Sequence, residues 1–110
     1  MNRKDPIKNV LYIDLSRLKY WVEDRSDIFE EYLGGVGAAT KILEEELPRN
    51  ADPLGPENVI VLAVGPGTGM YPMSSKTVAV FKSPLTGNWG ESHVGGRSAI
   101  AIRMSGCGAI

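Results

Sequence analysis

The chain has 110 residues, enough for one domain around one core. Twelve basic against thirteen acidic side chains, for a net charge of −1, leave no electrostatic footprint for nucleic acid, and 43% apolar with 23% charged residues excludes a disordered chain. No apolar run approaches the roughly 20 residues that span a bilayer; Met1–Pro6 lacks the apolar stretch of a secretory signal, and the single cysteine, Cys107, fits a reducing cytoplasm.

Asn9 to Leu15 is apolar and β-prone, with Val10, Tyr12 and Asp14 alternating against Leu11, Ile13 and Leu15. Ser16-Arg17 turns the chain and Leu18 to Glu23 reads as a second strand, which predicts an antiparallel hairpin. Ser26 followed by Asp27 is set to cap a short helix through Ile28, Phe29, Tyr32 and Leu33, ended by Gly34-Gly35. Val36, Ala39, Thr40, Leu43 and Leu47 then recur at spacings of three and four, with Lys41, Glu44, Glu45 and Glu46 on the other side. That period predicts an amphipathic helix, stopped by Pro48. Asp52-Pro53-Leu54-Gly55-Pro56-Glu57-Asn58 is a rigid turn, because each proline fixes its own φ and restrains its predecessor.

Val59 to Val64 is a continuous apolar, β-branched run, which predicts a strand buried on both faces. It empties into the loop Gly65-Pro66-Gly67-Thr68-Gly69. Thr77 to Phe81 is another strand, Ser83-Pro84-Leu85-Thr86-Gly87 a turn, and Asn88 to Val94 either a short strand or an irregular loop. Helical spacing of Ala99, Ile100 and Arg103 predicts a helix from Gly96 to Met104, its first turn following Gly95-Gly96. Ser105 to Ile110 reads as a helix stop and the start of a strand without a partner, which predicts an incomplete domain. The fold class is α+β: β-sheets with interspersed short helices in a single, partial domain over residues 1–110.

Of the 13 glycines, ten lie from Gly55 onward, so the second half holds many positions suited to close approach of a ligand. Gly35-Val36-Gly37-Ala38-Ala39-Thr40 has the look of a dinucleotide fingerprint, but no strand precedes it and its third glycine is replaced by threonine; a joint between two helices is the better reading. Gly65 to Gly69 follows a strand and can cradle phosphate with backbone amides, or simply turn. Without a Gly-Lys-Ser/Thr ending it does not support ATP or GTP binding. Ser74-Ser75-Lys76 offers phosphate a point charge and two hydroxyls, or is a solvated strand start. In Ser92-His93-Val94-Gly95-Gly96-Arg97 the double glycine opens the backbone to an anion, or is only a flexible helix entry. His93 is the single histidine, so the chain has no histidine metal site, and lone Cys107 cannot hold an iron–sulfur cluster, which needs four ligands.

Read in order, Tyr32-Leu33-Gly34-Gly35-Val36-Gly37, Asp52 to Asn58, Gly65 to Gly69, Lys82-Ser83-Pro84-Leu85-Thr86-Gly87 and Gly95-Gly96 resemble the opening of the first domain of the aldehyde ferredoxin oxidoreductase family of tungsten- and molybdenum-pterin enzymes. The resemblance implies a cofactor-binding base of β-sheets carrying a tungsten (or molybdenum) bis-pterin with a bridging magnesium. It further implies aldehyde oxidation to carboxylic acid, ferredoxin as electron acceptor, and a [4Fe–4S] cluster and catalytic groups in later domains or subunits. Lys76 matches a family position, typically arginine, that contacts pterin phosphate. His93 matches one whose backbone carbonyl helps hold magnesium, and Gly95 and Gly96 match glycines that let the backbone approach the pterin. Ser92, Lys76, His93, Val94, Gly95 and Gly96 are thus the expected cofactor residues, with His93 at the metal and no catalytic residue among the 110. The family reading expects a cytoplasmic enzyme without nucleic-acid or membrane partners and admits a homo-oligomer. The alternatives are a non-catalytic remnant or assembly module and, more remotely, a nucleotide-binding domain using Gly65 to Gly69.

Overall fold

The computed structural model describes residues 8–48, 50–70, 73 and 75–110; Ser74 and the segment Met1–Pro6, both considered above, lie outside them. The N-terminal hairpin forms as the alternation predicts. Strand β1 (Asn9–Asp14) pairs antiparallel with β2 (Lys19–Asp24), from Asn9 opposite Asp24 to Asp14 opposite Lys19. Its turn is held by the Asp14 carboxylate, which accepts hydrogen bonds from the backbone amides of Ser16 and Arg17 at 3.0 and 3.2 Å. Tyr12 and Trp21, cross-strand partners, stack with ring centroids 5.5 Å apart.

Helix α1 (Ser26–Tyr32) buries Ile28 and Phe29. Its N-terminus corrects the sequence reading. Ser26 makes no capping bond; the preceding Asp24 does the work, its carboxylate accepting the Ser26 amide at 2.9 Å. That bond chiefly holds the Asp24 carboxyl below the usual carboxylate range. Helix α2 (Gly35–Glu46) follows at once and buries Ala38, Ala39, Ile42 and Leu43. The expected face of Val36, Ala39, Thr40, Leu43 and Leu47 is therefore rotated, because α1 covers one flank and the sheet the other, and Ala38 and Ile42 face the core while Val36, Thr40 and Leu47 lie at its rim. Arg25 ties these elements together: it donates to the Tyr12 hydroxyl at 2.8 Å and pairs with Glu45 of α2 and Asp27 of α1. Glu45 in particular raises the Arg25 pKa above its ordinary value, while burial pushes the Tyr12 hydroxyl up.

The second sheet runs β3 (Ile60–Ala63), β4 (Thr77–Lys82) and β5 (Trp89–Val94), all antiparallel, in that order. Asn88 to Val94 is thus a strand rather than an irregular loop, with Gly90 lying under the ring of Phe81. Val61, Ala63, Val78 and Val80 join α1 and α2 in the main core around Phe29. A side chain of that size, fully buried, contributes roughly 1.5–3 kcal/mol. The opposite face of β3 meets a smaller core made by helix α3 (Ser98–Met104), in which Val64, Ala99, Ile102 and Cys107 are buried. Burial on both faces therefore holds only in part: Val61, Ala63 and Val64 are buried, Leu62 is half-buried and Ile60 is 64% exposed.

The C-terminal segment is a second correction: Ala109 forms isolated β-bridges on both sides rather than the start of an unpaired strand. Ala109 bridges Val10 in parallel and Ala63 in antiparallel fashion. Leu11 donates to the Ala109 carbonyl at 3.0 Å, and Leu62 and Ile110 exchange bonds of 2.9 and 2.7 Å. Gly108 to Ile110 therefore stitch the hairpin to the three-stranded sheet. No helix of the described residues is long and apolar enough to cross a membrane.

Candidate functional site

Because β3, β4 and β5 alternate in direction, the end of β3, the start of β4 and the end of β5 lie at one edge of the sheet. Ala63, Val78 and His93 form one row across the three strands. The ladders end there, β3–β4 at Ala63 opposite Val78 and β4–β5 at Thr77 opposite Val94, and Gly65, Lys76 and Gly95 lie within two residues of those ends. Three sequence motifs separated by many residues thus meet at one end: the glycine loop after β3, the lysine before β4 and the double glycine after β5. The helix joint comes there too, for the Gly35 amide donates to the Val64 carbonyl at 3.1 Å.

The glycines at this end differ in what they need. At Gly34, φ is +138° and an added Cβ would lie 2.9 Å from the Val64 carbonyl oxygen, so the fold itself demands glycine. Gly65 and Gly95 have no positive φ, and among the described residues no atom lies within 4 Å of a Cβ built on either. Their own chain gives no reason for the missing side chain. The surface there is open backbone, bordered by the exposed Lys76. A flat, anionic ligand could lie against it, its phosphate near the lysine.

Supporting contacts fix this edge from below. The Gly69 amide donates to the Ser75 hydroxyl at 3.0 Å, and turns within the loop bond Thr68 to Gly65 and Met70 to Gly67. Thr77, buried at the start of β4, shares a 2.9 Å hydrogen bond with the hydroxyl of Ser98, anchoring α3 beside the loop that precedes it. In the sequence Gly65 and Ser75 are candidates for phosphate contact in their own motifs, whereas Gly34 and Gly35 read only as a helix joint and not as part of this end. Nothing in local spacing links them, because their proximity is a product of strand pairing over long separations.

Ser92, His93, Val94, Gly95 and Gly96 are all exposed, and Ser92, His93 and Val94 are the last residues of β5, an outer strand of this sheet. Such a strand leaves alternate backbone amides and carbonyls without a ladder partner. The His93 imidazole Nε2 lies 3.7 Å from a carboxylate oxygen of Glu91, its neighbour on the same face of β5. No cluster of three or more His, Cys, Asp or Glu side chains suited to a metal occurs among the described residues.

Residues 10–110 match the family model described as aldehyde ferredoxin oxidoreductase, N-terminal domain. The chain belongs to the aldehyde ferredoxin oxidoreductase family. Among its relatives, the tungsten-containing aldehyde ferredoxin oxidoreductase of Thermococcus kodakarensis is 34% identical over 102 residues, 91% of this chain and 17% of the relative. An aliphatic sulfonate oxidoreductase, WOR-like subunit, of Pyrococcus furiosus is 43% identical over 79 residues, 68% of this chain and 12% of the relative. The fold agrees as well: the active site complex BamBC of benzoyl coenzyme A reductase, solved with 1,5 dienoyl-CoA, superposes with a TM-score of 0.82 at 30% identity, covering 94% of this chain and 16% of that one. The chain thus spans less than a fifth of the length of these family relatives.

Proposed function

We propose that the glycine-lined end of the sheet holds a tungsten, or alternatively molybdenum, bis-pterin cofactor, and that the chain serves as the N-terminal part of an oxidoreductase converting aldehydes to carboxylic acids with ferredoxin as electron acceptor. The observation that carries this reading is that Gly65 and Gly95, bare of side chains where their own chain leaves open space, follow the ends of β3 and β5 at the same end of the sheet where Lys76 precedes β4. Backbone that nothing else crowds, next to a cation, fits a planar, phosphorylated carrier. Two relatives named above support it, one tungsten-containing by name and the other an oxidoreductase subunit.

In this reading Lys76 meets pterin phosphate as a point charge, without the paired donors of an arginine. Gly95 and Gly96 admit the ring system, flanked by Ser92 and Val94. A backbone carbonyl at His93 gives magnesium the oxygen ligand it prefers, so the imidazole is free to remain beside Glu91. When bound, the cofactor supplies the two-electron chemistry; the residues of this chain bind and orient it. The [4Fe–4S] cluster and the groups acting on substrate belong to parts of the enzyme outside these 110 residues. A cytoplasmic location fits Cys107, which is buried and unpaired.

The test is anaerobic expression of the full-length gene product with tungstate or molybdate, followed by elemental analysis and pterin fluorescence after denaturation. Metal and pterin are expected together in the wild type and at several-fold lower occupancy in Lys76→Ala, with the far-UV circular dichroism unchanged. Unaltered occupancy in that variant removes Lys76 from the site. Absence of both metals and of pterin rejects the cofactor reading and leaves the non-catalytic assembly module.

A further inference from the structure

We propose that Arg97 is a second phosphate-binding residue of the glycine-lined end, acting with Lys76 on the paired pterin phosphates; this rests on the cofactor reading above. From Asn58 to Ile110 the chain carries the basic side chains Lys76, Lys82, Arg97 and Arg103 against a single acidic one, Glu91. The nearly neutral chain is therefore polarised, with its other acids all before Asn58. Lys82, at the far end of β4, donates to the Ala51 carbonyl at 2.6 Å, and Glu91 lies beside His93. Lys76 and Arg97 take part in none of the ion pairs among the described residues. Both flank the uncovered glycines, so the field over that backbone is positive.

One hydrogen bond brings the two cations together. Thr77 is opposite Val94 in the ladder, and its hydroxyl also lies 2.9 Å from that of Ser98. Gly95, Gly96 and Arg97 thus form a loop that leaves Thr77 and returns to it, with Gly96 at φ +89°. Thr77 is 3% exposed, so the bond that closes this loop is rooted inside the fold. Lys76 precedes Thr77 and Arg97 precedes Ser98. With about 3.8 Å between successive α-carbons, those of Lys76 and Arg97 are no more than about 15 Å apart, a span that two long side chains can close around one phosphate pair. Charge counting calls for both. Two phosphate monoesters sharing one magnesium bring about four negative charges, of which the metal offsets two and Lys76 one. The guanidinium adds what an ammonium lacks, a planar pair of N–H donors for two phosphate oxygens.

The test uses the full-length enzyme expressed anaerobically with tungstate, its pterin and metal content read per folded molecule after dialysis. Arg97→Gln is expected to retain several-fold less pterin than the wild type. Arg97→Lys, which keeps the charge but not the fork, should fall between the two. Ser98→Ala, which releases the loop from Thr77, should also lower retention, and Ser98→Thr, which keeps the hydroxyl, should restore it. Equal pterin in Arg97→Gln and wild type overturns the assignment and leaves the cofactor reading standing. So does loss of pterin from Ser98→Ala alone, which would make the loop important and its arginine not. A lowered denaturation midpoint in Arg97→Gln with pterin unchanged also overturns it, since Arg97 would then pair with another part of the protein. A wild type that holds neither pterin nor metal overturns both this inference and the reading beneath it.

Discussion

The two ends of the β3–β4–β5 sheet are both built from turn-rich, glycine- and proline-bearing sequence, yet they are finished in opposite ways. At the end formed by Asp52 to Asn58 and the β4–β5 turn, side chains close the backbone. The Asn58 amide donates to the carbonyls of Pro53 and Lys82 at 2.8 and 3.2 Å, and the Lys82 ammonium donates to the Ala51 carbonyl at 2.6 Å. Asp52, Ser83 and Thr86 each accept an amide of their own turn. At the other end glycine leaves the backbone open, with Lys76 the cation beside it. At one end side chains cover the backbone; at the other, turn hydrogen bonds hold the loop while Gly65 and Gly95 leave backbone uncovered. Loops on a rigid sheet can serve as fasteners or as a binding surface, and the difference lies in whether side chains already occupy the main-chain donors and acceptors.

Substitutions at the two ends should therefore separate stability from cofactor loading. The largest loss of stability is expected at the joint where the open end meets its support. Gly34→Ala combines a left-handed φ with a 2.9 Å approach to the Val64 carbonyl, and should cost about 3 kcal/mol in chemical denaturation. At the closed end Asn58→Ala should cost about 1–2 kcal/mol, with metal content per folded molecule unchanged. A fall in metal content in that variant would show that the closed end also serves the cofactor. The smallest stability effect belongs to Gly95→Ala. It should leave the denaturation midpoint of cofactor-free protein within about 1 kcal/mol of wild type, while lowering pterin and metal occupancy. A destabilised Gly95→Ala would mean that the fold, not a ligand, requires that glycine.

Much of the architecture was legible because it is local. The alternation in Asn9 to Leu15, the β-branched run Val59 to Val64 and the punctuation at Pro48 and Gly87 each act within a few residues, and each element formed. The errors arose where a neighbour decides. Ser26 was expected to cap α1, but the helix already begins at Ser26, one position too late for its hydroxyl to cap, and the Asp24 carboxylate holds the Ser26 amide from the end of β2. The buried face of α2 turned toward Ala38 and Ile42 because α1 and the sheet flank it together. The segment at Ala109 looked unpaired because its bridge partners, Val10 and Ala63, lie far away in sequence.

The same division runs through the candidate site. The sequence alone determined the family, through the order of five short blocks, and it named Lys76, His93, Gly95 and Gly96 as residues to watch. It could not show that two of those blocks, Asp52 to Asn58 and Lys82 to Gly87, lie at the end opposite the others, since order along a chain carries no information about which edge of a sheet a turn will reach. Strand direction decided that, and with it the arrival of Gly65, Lys76 and Gly95 at one end of the sheet. Periodicity is written in neighbouring residues, whereas the grouping of remote loops is set by backbone hydrogen bonds that exist only once the sheet has assembled.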